Sequence, residues 1–415
     1  MADAPEPNEA GRFGRTAVVI GTGIFVTGLG WPGLIGRLPF GLLLKNRLHV
    51  TPEKVSLFWA VATVAWYAKP LFGLICDAWP LFGSRRRNYV LLGTVLAALG
   101  WASFALLPPT YGVLMAIMTV LNIGLVVASV SLGGMLVEEG QRHGATGRLS
   151  AMVTGLDGVM SLVAGPLGGV LAAQALGVTA LAGGATVALL LPVTVILYSE
   201  PRTAAARQAL WARAGAVLKP VARSRAMWMT SLLTFLVYLS PGLQTPLLYY
   251  QQDVLKFDAR FMGILQFAGG AGALAGAALY AWGCRRLPLR WSLTGGIVLN
   301  AAAALLYLWY RSATAALVID AAVGLTGALC ILPFYDLTVR ATPKGSESVG
   351  FSLLMSVRNI SLFVVSDPLG SLIYSHFNRG FDKLVLANAG STLAVLLFLP
   401  LLPAALLDTR EGRPA

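Results

Sequence analysis

The sequence predicts an all-α membrane protein with about twelve transmembrane helices arranged as two six-helix halves. Three observations carry that expectation. The chain is 56% hydrophobic and only 12% charged over 415 residues, against about 25% charge in a typical soluble domain. Its apolar runs recur at lengths that span a bilayer. And two stretches repeat each other across the middle: residues 149–171, "LSAMVTGLDGVMSLVAGPLGGVL", and residues 351–373, "FSLLMSVRNISLFVVSDPLGSLI", align without a gap at an offset of 202. So long a period does not make a solenoid. It fits an apolar chain built from two related halves.

In chain order, a polar tail over 1–16 is followed by six apolar runs at 17–44, 54–76, 88–107, 110–137, 148–174 and 177–198. The tail lacks the basic-then-apolar layout of a cleavable signal, so the first run is expected to stay as an anchor. A basic linker over 199–225 carries Arg202, Arg207, Arg213, Lys219, Arg223 and Arg225 with a single acid, Glu200. Six more runs follow at 226–250, 260–283, 289–310, 313–337, 347–376 and 384–407, and residues 408–415 form a second tail. The expected domains are therefore 17–198 and 226–407, with the linker between them.

The net charge of +13 would suggest nucleic acid in a soluble protein. Here the basic residues sit in short loops. With the amino terminus inside, twenty Lys and Arg fall on the cytoplasmic side and eight, from Lys45 to Lys383, on the other. The positive-inside rule then places both termini in the cytoplasm of a cell (inner) membrane, with lipid as the partner and no nucleic acid. Cys76, Cys284 and Cys330 show no metal or disulfide spacing, and His49, His143 and His376 are isolated. Neither a metal, a cofactor nor an enzyme activity is expected. Both copies of the repeat follow a cytoplasmic basic loop, so they begin spans five and eleven with the same orientation. Two parallel six-helix halves joined by a cytoplasmic linker is the major facilitator architecture.

Four segments carry a closer resemblance: "GLIGRLPFGLLLKNRLHVTPEKV" (33–55), "KPLFGLICDAWPLFGSRRRNY" (69–89), "SPGLQTPLLYYQQDVLKFDARFMGILQFAGGAGALAG" (240–276) and "TPKGSESVGFSLLMSVRNISLFVVSDPLGS" (342–371). With them the chain resembles the folate–biopterin transporter family of the major facilitator superfamily. Span four departs from the pattern: "SVSLGGMLVEEGQRHG" ends in acids but lacks an Asp-rich helix. The resemblance implies proton-coupled, alternating-access movement of an anionic heterocycle such as a folate or pterin by a monomer. Two alternatives stay open: the same fold carrying a sugar, an amino-acid derivative or a drug, and a non-transporting assembly or delivery factor for pigment complexes, a role found in a related family with a similar "PLFG" and triple-arginine loop.

Ionisable residues inside spans cost about 2.5–3.5 kcal/mol each on insertion scales, which makes them functional candidates. Arg37, late in span one, either grips a carboxylate or snorkels to the outer interface. Lys69, before Pro70, either binds solute or pairs with a neighbouring acid. Asp157 in span five and Arg358 in span eleven sit one position apart in equivalent helices. Asp157 is the expected proton carrier and Arg358 an anion-binding group, or each is pinned by a polar partner. Asp336 is a second proton-coupling candidate, although Arg340 four residues on suits an intrahelical pair. Asp320 sits at the outer end of the same span. Asp367, two and a half turns past Arg358, is expected to cap the turn entering "PLGS".

Span seven carries Pro241, Gly242 and Pro246, which should break it. Gln244 and Tyr249 would offer hydrogen bonds and an aromatic face to a flat solute. In the loop after span two, Asp77 facing Arg85, Arg86 and Arg87 forms a candidate charge-assisted gate, while the arginines also act as topogenic signals. Gly272 and Gly276 form a GxxxG face, expected to pack on the small-residue "GPLGG" of span five.

Overall fold

The computed structural model describes residues 7–143, 146–200, 215, 218–284, 286–343 and 347–402. Among these, nine helical stretches are long and apolar enough to cross a membrane: Arg87–Leu106, Tyr111–Gly140, Gly155–Ala172, Leu176–Leu197, Arg225–Asp253, Ala259–Gly283, Leu289–Trp309, Ala313–Thr338 and Phe381–Leu401. They correspond to spans three to ten and twelve. Spans one, two and eleven are also present, but in pieces.

Each interruption has a local cause. Span one runs as helix Pro7–Leu29, turns through residues 30–36, then resumes as Arg37–Leu42 and a π-helical segment Leu43–Arg47. The turn holds Gly30, Pro32 and Gly33, and Pro32 has no N–H to continue a helix. Trp101 Nε1 donates to the freed carbonyl of Gly30 at 2.9 Å, so the buried break is satisfied. Span two is cut at Thr63 and Ala68 into Pro52–Ala62, Val64–Tyr67 and Lys69–Ala78. Pro70 opens the last piece, where a missing N–H costs nothing. Span seven breaks over residues 240–243, between Arg225–Leu239 and Gln244–Asp253. Span eleven runs from Glu347–Asn359 through the π-helical Ile360–Ser366 into Asp367–His376. Wide turns of this kind concentrate at functional sites.

The chain separates into two compact units. One comprises Met1–Pro39, Ala62–Ala164 and Leu171–Ala212; the other comprises Phe40–Val61, Gly165–Val170 and Arg213–Ala415. The first is centred on Val19, Ile20, Val26, Val90, Leu132, Met135 and Leu190. The second is centred on Leu233, Leu289, Leu293, Ile297, Cys330, Phe334 and Val395. Large apolar residues also point outward, among them Leu99, Leu181, Ile196, Val318 and Leu397, as lipid-facing surfaces require.

Glycines set the close helix crossings. In the first unit, a Cβ on Gly93 would meet the backbone of Gly124 and Ala128, which joins spans three and four. The GxxxG face of span eight packs differently from the sequence expectation. Cβ atoms on Gly272 and Gly276 would collide with the carbonyls of Ala321 and Leu325 in span ten. Span five's Gly165 and Gly169 instead meet span eight one end lower, at Gly263. The motif marks a small surface, but it does not name the partner.

Candidate functional site

In the first unit, the breaks of spans one and two lie against span four. Asn122 there is fully buried. Its Oδ1 accepts from Trp31 Nε1 at 2.9 Å and from Trp66 Nε1 at 2.7 Å, while its amide donates to Met118 O at 2.9 Å. The two indoles meet edge to face at 5.8 Å. One amide thus fixes both large rings. Lys69 Nζ lies 5.2 Å from the centroid of the Trp66 ring and donates to Ser129 Oγ at 3.2 Å. Below it, Thr63 Oγ1 and Tyr67 Oη are 2.8 Å apart. The result is a half-buried ammonium on an aromatic face with hydroxyls around it, a combination that suits an anion attached to a flat ring. Arg37 is half-buried and opens the helix that follows the Gly30–Gly36 turn. Asp157 is exposed on the uninterrupted helix Thr146–Ala172.

In the second unit, Arg358 ends its helix just before the π-helical segment. Its guanidinium lies 5.1 Å from the centre of the Tyr238 ring, and its buried Nε has no hydrogen-bond partner among the described residues. Both units therefore place a cation over an aromatic ring beside a broken helix. Gln244 is exposed at the start of the second piece of span seven. Tyr249, one turn on, is 5% exposed; its hydroxyl donates to Val50 O, and Lys45 Nζ sits 5.1 Å above its ring. Lys45 also pairs with Asp253, which Arg379 approaches at 3.1 Å.

Asp367 reaches a helix other than its own. Its carboxylate, 1% exposed, accepts from Thr245 N at 2.9 Å and Thr245 Oγ1 at 2.6 Å, which caps the second piece of span seven from another helix. Ser366 O accepts from Gly242 N at 2.8 Å, and Ser366 Oγ donates to Ser240 O at 2.6 Å. The span-seven break is thereby tied to span eleven. Asp336 and Arg340 form the bidentate pair their spacing suggests, at 2.9 and 2.7 Å. Asp320 is 9% exposed and accepts from Tyr307 at 3.0 Å and Tyr310 at 2.8 Å.

The arginine loop is organised by an acid from elsewhere. Asp77 belongs to helix Lys69–Ala78, but its side chain lies outside the described residues. Glu200 at the head of the linker accepts instead from the backbone N–H of Arg85, Arg86 and Arg87 at 3.1, 3.0 and 3.0 Å, and from Ser84 Oγ at 2.6 Å. Arg86 pairs with Glu138 at 2.8 Å, and Arg87 Nε donates to Tyr198 O at 2.9 Å. Burial acts to raise the Glu200 pKa, but these four donors outweigh it and hold the carboxyl below its ordinary 4.5. The turn Leu81–Ser84 is closed by Phe82 and Gly83 with φ of 51° and 80°, a pair of positive φ values that glycine relieves at its second position.

Comparison with known proteins fits this geometry. The model of the BT1 family matches residues 33–412. The chain belongs to the BT1 family. A folate-biopterin transporter of Synechocystis sp. is 28% identical over 399 residues, spanning 90% of this chain and 79% of the relative. Probable folate-biopterin transporter 4 of Arabidopsis thaliana is 24% identical, spanning 84% and 85%. Among solved structures, a D-xylose-proton symporter superposes with TM-score 0.71 at 15% identity over 97% of this chain and 99% of that one. A peptide transporter, POT, in complex with sulfate also gives 0.71, at 14% identity over 95% and 96%. At that identity the likeness establishes the fold, which is that of the major facilitators. This BT1 family member is a multi-pass membrane transporter of a small-molecule solute.

Sequence reasoning missed three elements of the site. Asn122 was signalled by an amide inside the apolar run "TVLNIGLV". The tyrosine pair before Arg311 stands within thirteen residues of the acid it serves. Glu200 was visible as the linker's lone acid, but its target more than a hundred residues away was not.

Proposed function

We propose that the protein carries a folate- or pterin-like anion by alternating access, coupled to protons. The observation that supports this most is the Lys69–Trp66 pair, with Trp31 and Asn122 holding the indole in place. An aromatic plate with an ammonium beside it matches a flat heterocycle bearing a carboxylate. The names of the relatives point the same way. Arg358 on Tyr238 offers a second cation of the same kind, and Arg37, Gln244 and Tyr249 complete the proposed solute contacts. Asp157 is the proposed proton carrier of the first unit because its carboxyl is exposed on an intact helix. Asp336, held by Arg340, is the weaker proton site, since a guanidinium in bidentate contact favours the ionised acid. Arg85, Arg86 and Arg87 are proposed to gate the inner face, with both termini on that side of a cell membrane.

Radiolabelled folate uptake by proteoliposomes under an inward proton gradient tests the reading. Uptake that biopterin competes away is expected, as is its loss in Lys69→Met. A ligand that binds the folded state raises apparent stability, so folate should shift the melting temperature of the wild type and leave Lys69→Met unmoved. Asp157→Asn should keep folate exchange and lose uphill accumulation. Transport of a sugar or peptide with no effect of folate or biopterin would overturn the solute assignment.

A further inference from the structure

Asp320 is a buried acid outside that scheme. Asp320 sits in the apolar helix Ala313–Ala341, and its two carboxylate oxygens are met by hydroxyls alone: Tyr307 on Oδ1 and Tyr310 on Oδ2. No cation contacts it among the described residues. Its surroundings are closed, with Tyr310 at 0% exposure, Tyr307 at 6% and Gln251 at 7%. Behind Tyr310, Gln251 Nε2 donates to the phenol oxygen at 2.7 Å. A carboxylate held in an apolar segment without a counter-charge is costly, and the usual relief is to bind a proton. Asp336, on the same helix, has its arginine. Asp320 has phenols, which can both donate and accept and so can satisfy either protonation state.

We propose that Asp320 is a proton-binding site of the second unit, read out through Tyr310 by Gln251 on span seven. The proposal rests on the reading of this chain as a proton-coupled carrier. In the ionised state both phenols donate to the carboxylate, and Gln251 donates to Tyr310. When a hydronium ion gives a proton to Oδ2 and leaves as water, the new carboxyl O–H donates to Tyr310. The Tyr310 hydroxyl must then turn its proton away, toward Gln251, whose amide has to present its oxygen instead of its nitrogen. One proton is taken up and one amide rotates.

Gln251 lies on Gln244–Asp253, the second piece of span seven. That piece also carries Tyr249, bonded to Val50 O, and Asp253, paired with Lys45. A change at Gln251 therefore acts on the element that holds the segment around Lys45. The groups facing the cluster are few. Span nine contributes Tyr307 and Tyr310, and span seven adds Tyr250, whose hydroxyl lies 3.5 Å from Tyr310 O. Arg311 and Asp382 are the charged groups beside Tyr250. Span eight presents the backbone at Gly269.

Two measurements on the full-length protein test the proposal. The first is infrared difference spectroscopy of the purified protein as pH is lowered. A protonated-carboxyl band should grow in the wild type and be missing from Asp320→Asn; an identical band in both would overturn the proposal. The second uses proteoliposomes with radiolabelled folate. The ratio of gradient-driven accumulation to counterflow should fall at least tenfold in Asp320→Asn, and an unchanged ratio would overturn the coupling role. If the wild type moves no folate, the solute reading fails, and the infrared titration still decides Asp320. Should Asp320→Asn fail to fold, Tyr307→Phe and Tyr310→Phe keep the acid and remove one donor to its ionised form. The band should then grow in at a higher pH than in the wild type; an unmoved midpoint in both would overturn the proposal.

Discussion

Removing the Glu200 carboxylate should unlock the arginine loop. Four donors converge on it at 2.6 to 3.1 Å, three of them consecutive backbone amides at the start of span three. Hydrogen bonds to a charged group contribute about 1.5–3 kcal/mol each, which gives an upper limit of about 6–12 kcal/mol for the set. Glu200 is only half-buried, so water replaces much of what is lost, and exposed charge interactions contribute little. An anion at a helix amino terminus adds about 0.3–1 kcal/mol. About 2–4 kcal/mol is the resulting cost of Glu200→Ala, borne by local opening of residues 84–88. Since about 1.4 kcal/mol is a factor of ten, hydrogen exchange at the Arg85, Arg86 and Arg87 amides should quicken by about 30- to 700-fold. Glu200→Gln keeps a neutral acceptor and should show about half that free-energy change. The pH dependence has a fixed sign. A carboxyl held below its ordinary 4.5 stabilises the loop above that pH, and the contribution disappears as pH falls through the lowered folded value. Exchange of the three amides that is unchanged in Glu200→Ala would refute the reasoning.

Three further outcomes follow from the packing. Gly276→Ala places a methyl group against Leu325 O and should cost about 1–3 kcal/mol by overpacking, read as a lowered melting temperature in detergent. Asp253→Asn releases Lys45, 9% exposed, and Arg379. In a cysteine-free background carrying Val50→Cys, it should speed maleimide labelling severalfold, because Lys45 no longer ties that segment to span seven and the Tyr249 hydroxyl is left as its hydrogen bond there. Asp367→Ala strands the buried Thr245 N–H and should destabilise by about 1–3 kcal/mol. Asp367→Asn, which keeps an acceptor, should cost much less, and equal losses in the two variants would contradict the capping role.

The spans were legible because lipid imposes a long apolar run on each of them. The break in span seven was legible too, from "SPG", because proline and glycine act on the backbone locally; the breaks in spans one and two, at "GWPG" and before Pro70, were read as continuous runs although the same residue types stand there. The π-helical turns at Leu43–Arg47 and Ile360–Ser366 left no such mark. An extra residue in a turn depends on what the neighbouring helices accept. Pairings at long range were the least legible. Glu200 meets a loop that precedes it by more than a hundred residues, and Gly272 could have lain against any small surface. Trp31, Trp66 and Asn122 come from three spans, and only the fold shows that one amide serves both indoles.

The two copies of the internal repeat differ in structure at one matched position. The offset of 202 pairs Gly165 with Asp367 and Pro166 with Pro368. In the first copy the helix runs through Pro166 without interruption, and the missing side chain at Gly165 lets the backbone of Gly263 approach. A side chain at that position would collide with the backbone of Gly263 and Phe267. The second copy carries a carboxylate there, and span seven receives it. Span seven is broken at 240–243, so Thr245 stands in the first turn of a new helix with an N–H that its own helix leaves unpaired. The acid and the break answer each other: an intact span seven would offer Asp367 no N–H, and a helix start without Asp367 would bury an unpaired donor. Pro368 then follows an acid anchored outside its own helix, and the π-helical turn at Ile360–Ser366 lies between that anchor and Arg358. The break in span seven and the π-helical turn of span eleven are therefore tied together at Asp367, where the second copy has an acid and the first a glycine.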